Sequence, residues 1–302
     1  MNYLELLFPD FALIVLGYLL CRFTPINRSV WQSVEQLVYY LLFPVLLFHS
    51  ITRNPIQWGD ASQLLGAGVL GSLLGIALTY SLPYLPFLGR RIEPRSHASA
   101  AQVAFRFNSF IALALVSRLA GPDGLLYVSV LIGVSVPLCN VAAVWPMTRG
   151  SSQHFVGHLL RNPLIVSTVS ALLFNAAGLK IPELLETPVA RLGAASIALG
   201  LMAAGAGLKV SALANNKLLA GELLLIRHAI QPLIAFGMVR LFGLHGAQAI
   251  ALMAFSSMPT ASSCYVLAVR MGYDGAFVAS LVSLSTMLGV LSLPFGLWLI
   301  GV

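Results

Sequence analysis

Ala254-Phe-Ser-Ser-Met-Pro-Thr-Ala-Ser-Ser-Cys264 is a hydroxyl-rich run with Pro259 at its centre, set inside an otherwise apolar stretch. In a water-soluble protein it would read as a loop. Its surroundings decide otherwise. The 302 residues are 58% hydrophobic and only 9% charged, against roughly 25% charged for a soluble domain, and the mean hydropathy is +0.89. The chain reads as a polytopic membrane protein, which puts this run at membrane depth. There Pro259 lacks a backbone N–H and leaves a carbonyl of the preceding turn without its helical donor. Two readings follow. One is a broken helix of the kind transporters place at the bilayer midplane, whose freed backbone groups and half-helix ends bind a charged solute or a coupling ion. The other is a kinked helix whose serines bond back to their own backbone.

Working outward, windows of about 20 apolar residues define ten spans near 4–22, 31–50, 63–88, 98–118, 124–147, 162–178, 190–208, 217–242, 247–269 and 275–301. The first has no basic n-region and carries Asp10, so it reads as a retained span rather than a cleaved signal. The connections are short and insert no soluble domain. The formal charge of +7 does not point to nucleic acid, because the basic residues are scattered singly between apolar spans. They read as topology signals. Ten Lys/Arg fall in the odd-numbered connections and five in the termini and even-numbered ones, which puts both termini outside and the 149–161 connection in the cytoplasm. Cys21, Cys139 and Cys264 all lie in apolar spans with no metal-ligand or redox spacing, so no disulfide, metal centre or cofactor is expected.

An internal echo divides the chain. Ser117-Arg-Leu-Ala-Gly-Pro-Asp-Gly-Leu-Leu-Tyr-Val-Ser129 matches Val269-Arg-Met-Gly-Tyr-Asp-Gly-Ala-Phe-Val-Ala-Ser280 when one residue is skipped, aligning Arg118 with Arg270 and Asp123 with Asp274. Each copy falls between the fourth and fifth span of its half. Repeats of five spans, 1–150 and 151–302, must lie in opposite orientations because five is odd, which is the inverted-repeat plan of many secondary transporters. Counting back ten residues from the aligned arginines sets Asn108 opposite Thr260. Backbone amides with Asn108, Ser109, Thr260, Ser262 and Ser263 would then surround a small polar solute.

Arg106 costs roughly 2.5–3.5 kcal/mol at mid-depth on insertion scales and so demands a partner. An organic carboxylate fits the guanidinium fork; snorkelling to the headgroups is the alternative. In span 8, Glu222, Arg227 and His228 precede Pro232. Their spacing allows an internal Glu222–Arg227 pair, or a relay in which Glu222 or His228 changes protonation. Asp10, Glu35 and His49 lie near span ends and read as interfacial. Ser129, Ser135 and Asn140 in span 5 and Ser280, Ser283, Ser285 and Thr286 in span 10 read mainly as glue between helices, with sodium coordination as the alternative; Gly66–Gly71 and Gly200–Gly207 read as close-packing surfaces.

Met258-Pro-Thr-Ala-Ser-Ser, Arg270-Met-Gly-Tyr-Asp274, Leu284-Ser-Thr286 and Leu293-Pro294 together resemble the last two spans of the auxin efflux carrier family, which includes plant PIN-type carriers and bacterial malonate-type permeases. Phe105-Arg-Phe-Asn108 followed by Gly121 resembles its fourth span, and Arg227 with Pro232 its eighth. The resemblance implies an all-α fold of ten spans in two inverted five-helix repeats, related to bile acid:sodium symporters. A scaffold would sit beside a transport domain in which broken spans 4 and 9 cross, with Asn108 and Pro259 at the crossing and an elevator-like movement. One departure stands out: Leu113-Ala-Leu115 occupies the place where members carry a proline soon after the span 4 asparagine.

The reading is a secondary active transporter of small organic anions, mono- or dicarboxylates or auxin-like acids, in the cytoplasmic membrane. Arg106, Asn108, Ser109, Asn140, Pro259, Thr260, Ser262 and Ser263 are the expected substrate site, and Glu222, Arg227 and His228 the coupling or relay residues, with sodium and proton coupling both open. The expected partners are the anion and membrane lipid, and the apolar scaffold spans can support a homodimer. A sensor using the same fold without net transport is the rival. An intramembrane enzyme is disfavoured, since the chain has no G-x-S-x-G elbow, no Asp pair across two helices and no paired glutamates near histidines.

Overall fold

The computed structural model describes residues 3–52, 58–86, 89–147, 163–207, 216–261 and 263–302, and their regular structure is entirely helical. In chain order the helices are α1 (Tyr3–Phe23), α2 (Arg28–Leu37), α3 (Phe43–Thr52), α4 (Trp58–Ser81), α5 (Pro94–Ala100), α6 (Gln102–Phe105), α7 (Ser109–Met147), α8 (Pro163–Ala176), α9 (Glu183–Ala206), α10 (Lys217–Leu225), α11 (Gln231–Leu241), α12 (Gly246–Ser257), α13 (Ser263–Arg270) and α14 (Gly275–Leu299).

Two π turns, Val38–Leu42 and Ile226–Ile230, join α2 to α3 and α10 to α11. Each ends two residues before a proline, Pro44 and Pro232. A proline cannot donate to the carbonyl four residues back, and here the turn upstream widens instead. The Phe43 N–H reaches the Val38 carbonyl, and the Gln231 N–H reaches that of Ile226. The second widened turn carries Arg227 and His228. Glycine does the opposite work in α7, where Gly121 has φ 58° and ψ −149°, a conformation that costs a residue without Cβ little. It divides the run into two helical lengths. Gly272, at φ 76°, turns the chain between α13 and α14, and Asp274 caps α14 by accepting from the Phe277 N–H at 3.1 Å.

Six stretches of the described residues are long and apolar enough to cross a membrane: Arg28–His49, Ser62–Tyr84, Pro94–Met147, Glu183–Ala206, Lys217–Leu241 and Gly275–Leu299. The difference from ten has local causes. Expected spans 4 and 5 share Pro94–Met147 across Gly121, and span 9 is cut by Pro259 into helices of 12 and 8 residues. The apolar part of α1 is Phe11–Phe23, and α8 has 14 residues. Outward positions such as Phe8, Leu173, Leu291 and Trp298 are exposed, as befits a surface facing lipid.

Packing falls into two groups joined by α7. In one, α1 lies along α9, and α3 lies against α8 and α9. The glycines make this contact close: a Cβ on Gly17 would run into the Met202 carbonyl, and one on Gly205 into that of Ile14. Asn175 on α8 donates to the Ile51 carbonyl at 2.6 Å. His49 on α3 meets Glu186 on α9 at 2.8 Å, and Glu35 pairs with Arg28. In the other group α4, α7, α11, α12 and α14 pack together, and Gly75 leaves room for the Gln231 amide. Leu113, Leu115, Leu131, Ile132 and Met253 fill the centre.

Candidate functional site

The helical run that begins at Pro94 ends at Phe105, with Arg106 extended at φ −80° and ψ 149°. It restarts at Ser109 because Asn108 supplies an N-cap: its Oδ1 accepts from the Phe110 N–H at 3.1 Å and the Ile111 N–H at 3.3 Å. Such a cap satisfies amides that a helix start leaves without partners. The Cys139 thiol, in the second length of α7, donates to the Phe105 carbonyl at 3.6 Å. Leu113-Ala-Leu115 is regular helix and fully buried, so this interruption forms without the proline, upstream of the place where the family carries one.

The second interruption lies between Ser257 and Ser263, and the two meet: the Asn108 N–H donates to the Pro259 carbonyl at 2.8 Å. The Phe107 and Phe255 rings sit 4.2 Å apart beside the junction. Backbone accounting here is complete over five consecutive carbonyls. Arg227 donates to Phe255 at 3.5 Å, Ser256 at 2.6 Å and Met258 at 2.7 Å. Ser292 donates to Ser257 at 3.0 Å, and Asn108 takes Pro259. At membrane depth no bulk water is present to do this work. Arg227 reaches these carbonyls rather than Glu222, so the pairing within α10–α11 that their spacing allows does not form.

His228 ties the same junction to α14. Its Nδ1 lies 2.8 Å from Ser292 Oγ and its Nε2 2.8 Å from Ser285 Oγ. Ser292 spends its hydroxyl hydrogen on the Ser257 carbonyl, so Nδ1 is the donor on that side. Ser285 Oγ accepts from the Thr260 N–H at 2.9 Å, which leaves its own hydrogen available to an unprotonated Nε2. The arrangement satisfies a neutral imidazole with its proton on Nδ1.

Arg106 spans the junction on its open side. Its guanidinium donates to Gln102 Oε1 at 2.8 Å and to Ser263 Oγ at 2.9 Å; the residue is half-buried and Ser263 exposed. Among the described residues no carboxylate lies within ion-pair distance of Arg106 or Arg227. The junction thus carries two guanidinium groups, one sealed inside and one partly open.

Of the expected site residues, Arg106, Asn108, Pro259, Thr260 and Ser263 come together at the junction. Ser109 begins α7 beside them and is buried. Asn140, next to Cys139, is half-buried on α7, and Ser262 lies outside the described residues. Glu222 sits half-buried on α10, five positions before Arg227. Most of the span 5 and span 10 hydroxyls turn inward on their own helices, Ser129 to Leu125, Ser280 to Ala276, Ser283 to Ala279 and Thr286 to Val282. Ser285 and Ser292 bond outside α14 instead, and the buried Ser135 Oγ meets no hydrogen-bond partner within the described residues. Gln102 was not singled out from sequence; its amide also donates to the Cys264 carbonyl at 3.2 Å, and its place one helical turn before Arg106 was the available signal.

A family model described as membrane transport protein matches residues 143–297, just over half of the chain. The chain belongs to this family. It is the auxin efflux carrier family whose fourth, eighth, ninth and tenth spans the motifs resemble, and the matched region contains Arg227, His228, the Pro259 interruption and α14 as far as Leu297. A protein described as an uncharacterized transporter, from Methanothermobacter thermautotrophicus (strain Delta H), is 23% identical over 290 residues, covering 95% of this chain and 94% of the relative. The protein is therefore an integral membrane protein of a transporter family.

Proposed function

We propose that this chain is a secondary active transporter of small organic anions, mono- or dicarboxylates, in the cytoplasmic membrane. The observation that carries the reading is Arg106: a half-buried guanidinium at the meeting point of two helix interruptions, held by a neutral amide and a hydroxyl and by no carboxylate among the described residues. A carboxylate ligand supplies the missing charge in the bidentate geometry that arginine favours. Ser263, at the start of α13, is hydrogen-bonded to it, α7 starts three residues further on at Ser109, and both helix starts carry the positive end of the backbone dipole.

Ten spans in two inverted repeats, 1–150 and 151–302, accommodate the packing. In that scheme α1 lies on α9 as α8 lies on α3, which is the swapped pairing a two-fold axis in the membrane plane generates. Left-handed Gly121 and Gly272 occupy corresponding turns. The group containing α1, α3, α8 and α9 would be the scaffold, and the group containing the junction the moving part of an elevator. Both termini lie outside by the distribution of basic residues.

Counterflow in proteoliposomes tests the assignment. Vesicles loaded with a panel of small carboxylates exchange labelled substrate selectively, and Arg106→Ala removes the exchange while inserting and purifying normally. Undiminished exchange by Arg106→Ala rejects the assigned site; binding without exchange rejects the carrier reading in favour of a sensor.

A further inference from the structure

The end of a helix presents carbonyl oxygens with no donor of their own and the negative end of the backbone dipole, and such ends coordinate cations at membrane depth. The end of α12 is a place of this kind. The carbonyls of Phe255, Ser256 and Met258 converge on one point, and at that point stands the Arg227 guanidinium, with Nε 2.7 Å from the Met258 oxygen and Nη2 2.6 Å from that of Ser256. Arg227 is 2% exposed. No carboxylate among the described residues neutralises it, so backbone dipoles hold its charge, as oxygen ligands hold a bound metal cation. The π turn Ile226–Ile230 carries both it and His228, and single π turns inside helices frequently fall at functional sites.

We infer that Arg227 is a resident cation that fills the carbonyl site at the end of α12. A tethered guanidinium neither enters nor leaves, so the interruption around Pro259 keeps its geometry without an ion from solution. The consequence for coupling, which rests on the transporter reading, is that this site takes no part in sodium coupling. The same geometry defines what the site accepts when the side chain is removed. A small cavity lined by Gly68, Ser72, Phe105, Gln231 and Ser256 adjoins Arg227, and removing the side chain adds to it the guanidinium's own space beside the vacated carbonyls.

Thermal unfolding of the purified full-length protein tests this, in choline chloride replaced stepwise by sodium, potassium or low, non-denaturing guanidinium at constant ionic strength. The wild type shows no saturable response to any of the four cations that Arg227→Ala lacks. Arg227→Ala melts roughly 5–10 °C lower and recovers saturably with guanidinium or a small cation. Absence of recovery with every cation overturns the inference. So does a saturable sodium stabilisation of the wild type that is lost in Arg227→Ala, because arginine and ion would then act together rather than in place of one another. If Arg227→Ala yields no folded protein, Arg227→Lys and Arg227→Met decide: the lysine variant keeps a wild-type yield of monodisperse protein while the methionine variant falls several-fold, and equal yields overturn the inference. These readouts do not depend on carboxylate exchange. Failed counterflow with the expected cation behaviour therefore rejects the transport reading alone.

Discussion

The two helix interruptions that meet at the centre of this protein solve one problem by different means. The first, at Arg106 to Asn108, is closed locally: Asn108 caps the helix that follows, and a thiol from the same α7 run meets the Phe105 carbonyl. The second, around Pro259, is closed from a distance. Its carbonyls take a guanidinium from the π turn after α10 and a hydroxyl from α14, and its first free amide takes another α14 hydroxyl. The reason is the proline. It removes a donor within the segment, and a run of five carbonyls then exceeds what neighbouring side chains can reach. A self-capped interruption can shift as a unit with its own helix. The two are tied to each other by the Asn108 N–H to the Pro259 carbonyl and by Arg106 to Ser263, but only the second depends on two further helices for its closure.

That contrast orders the expected effects of mutation. Arg227→Met strands three carbonyls at once and should cost about 3–5 kcal/mol, as breaking buried charged networks does; a melting temperature close to wild type would show that the second interruption does not depend on an imported cation. Ser285→Ala removes the acceptor for the Thr260 amide and one partner of His228, and a loss of about 1–2 kcal/mol is expected from hydrogen bonds between membrane helices. Parallel unfolding of His228→Ala and of the double variant should give less than the sum of the single effects, since the three groups form one chain. Additive losses would dissolve that chain. Asn108→Ala gives up a cap worth about 1 kcal/mol, and Asn108→Asp, which keeps the acceptor, should restore it; if Asn108→Ala costs more than Ser285→Ala, the first interruption is not the self-contained one.

The smallest effect lies outside the spans. Glu93 caps α5 by accepting from the Ser96 N–H at 2.8 Å, and the hydrogen bonds from Ser96 hold its carboxyl below the usual carboxylate range. A carboxyl depressed in the folded state stabilises it fully above its unfolded value, and that contribution fades as pH falls through the folded value. Glu93→Gln should therefore melt slightly lower than wild type near neutral pH and equally in acid. A difference that grows in acid would contradict the sign.

Much of this molecule could be read without coordinates, and the parts that could not share a cause. Apolar length marks the membrane character because the bilayer imposes it on any chain, and Pro259 marks a break or a kink because a missing N–H is a property of the residue itself; Pro137, Pro188 and Pro294 stay inside helices. The cost of Arg106 and Arg227 at depth is equally intrinsic. What holds them is not. Glu222 was the visible candidate for Arg227, being an acid five residues away, whereas the partners are carbonyls 28 to 31 residues along the chain. A backbone oxygen looks the same at every residue, so no letter in the sequence marks it as an acceptor. Likewise Ser285 and Ser292 are indistinguishable in type from Ser280 and Ser283, which bond their own helix; only the side of α14 that His228 and Thr260 approach separates them. Sequence alone determined that this chain lives in a membrane and which charges need partners. The tertiary structure alone decided which partners they have, because in a medium without water a polar group binds whatever packing brings within reach.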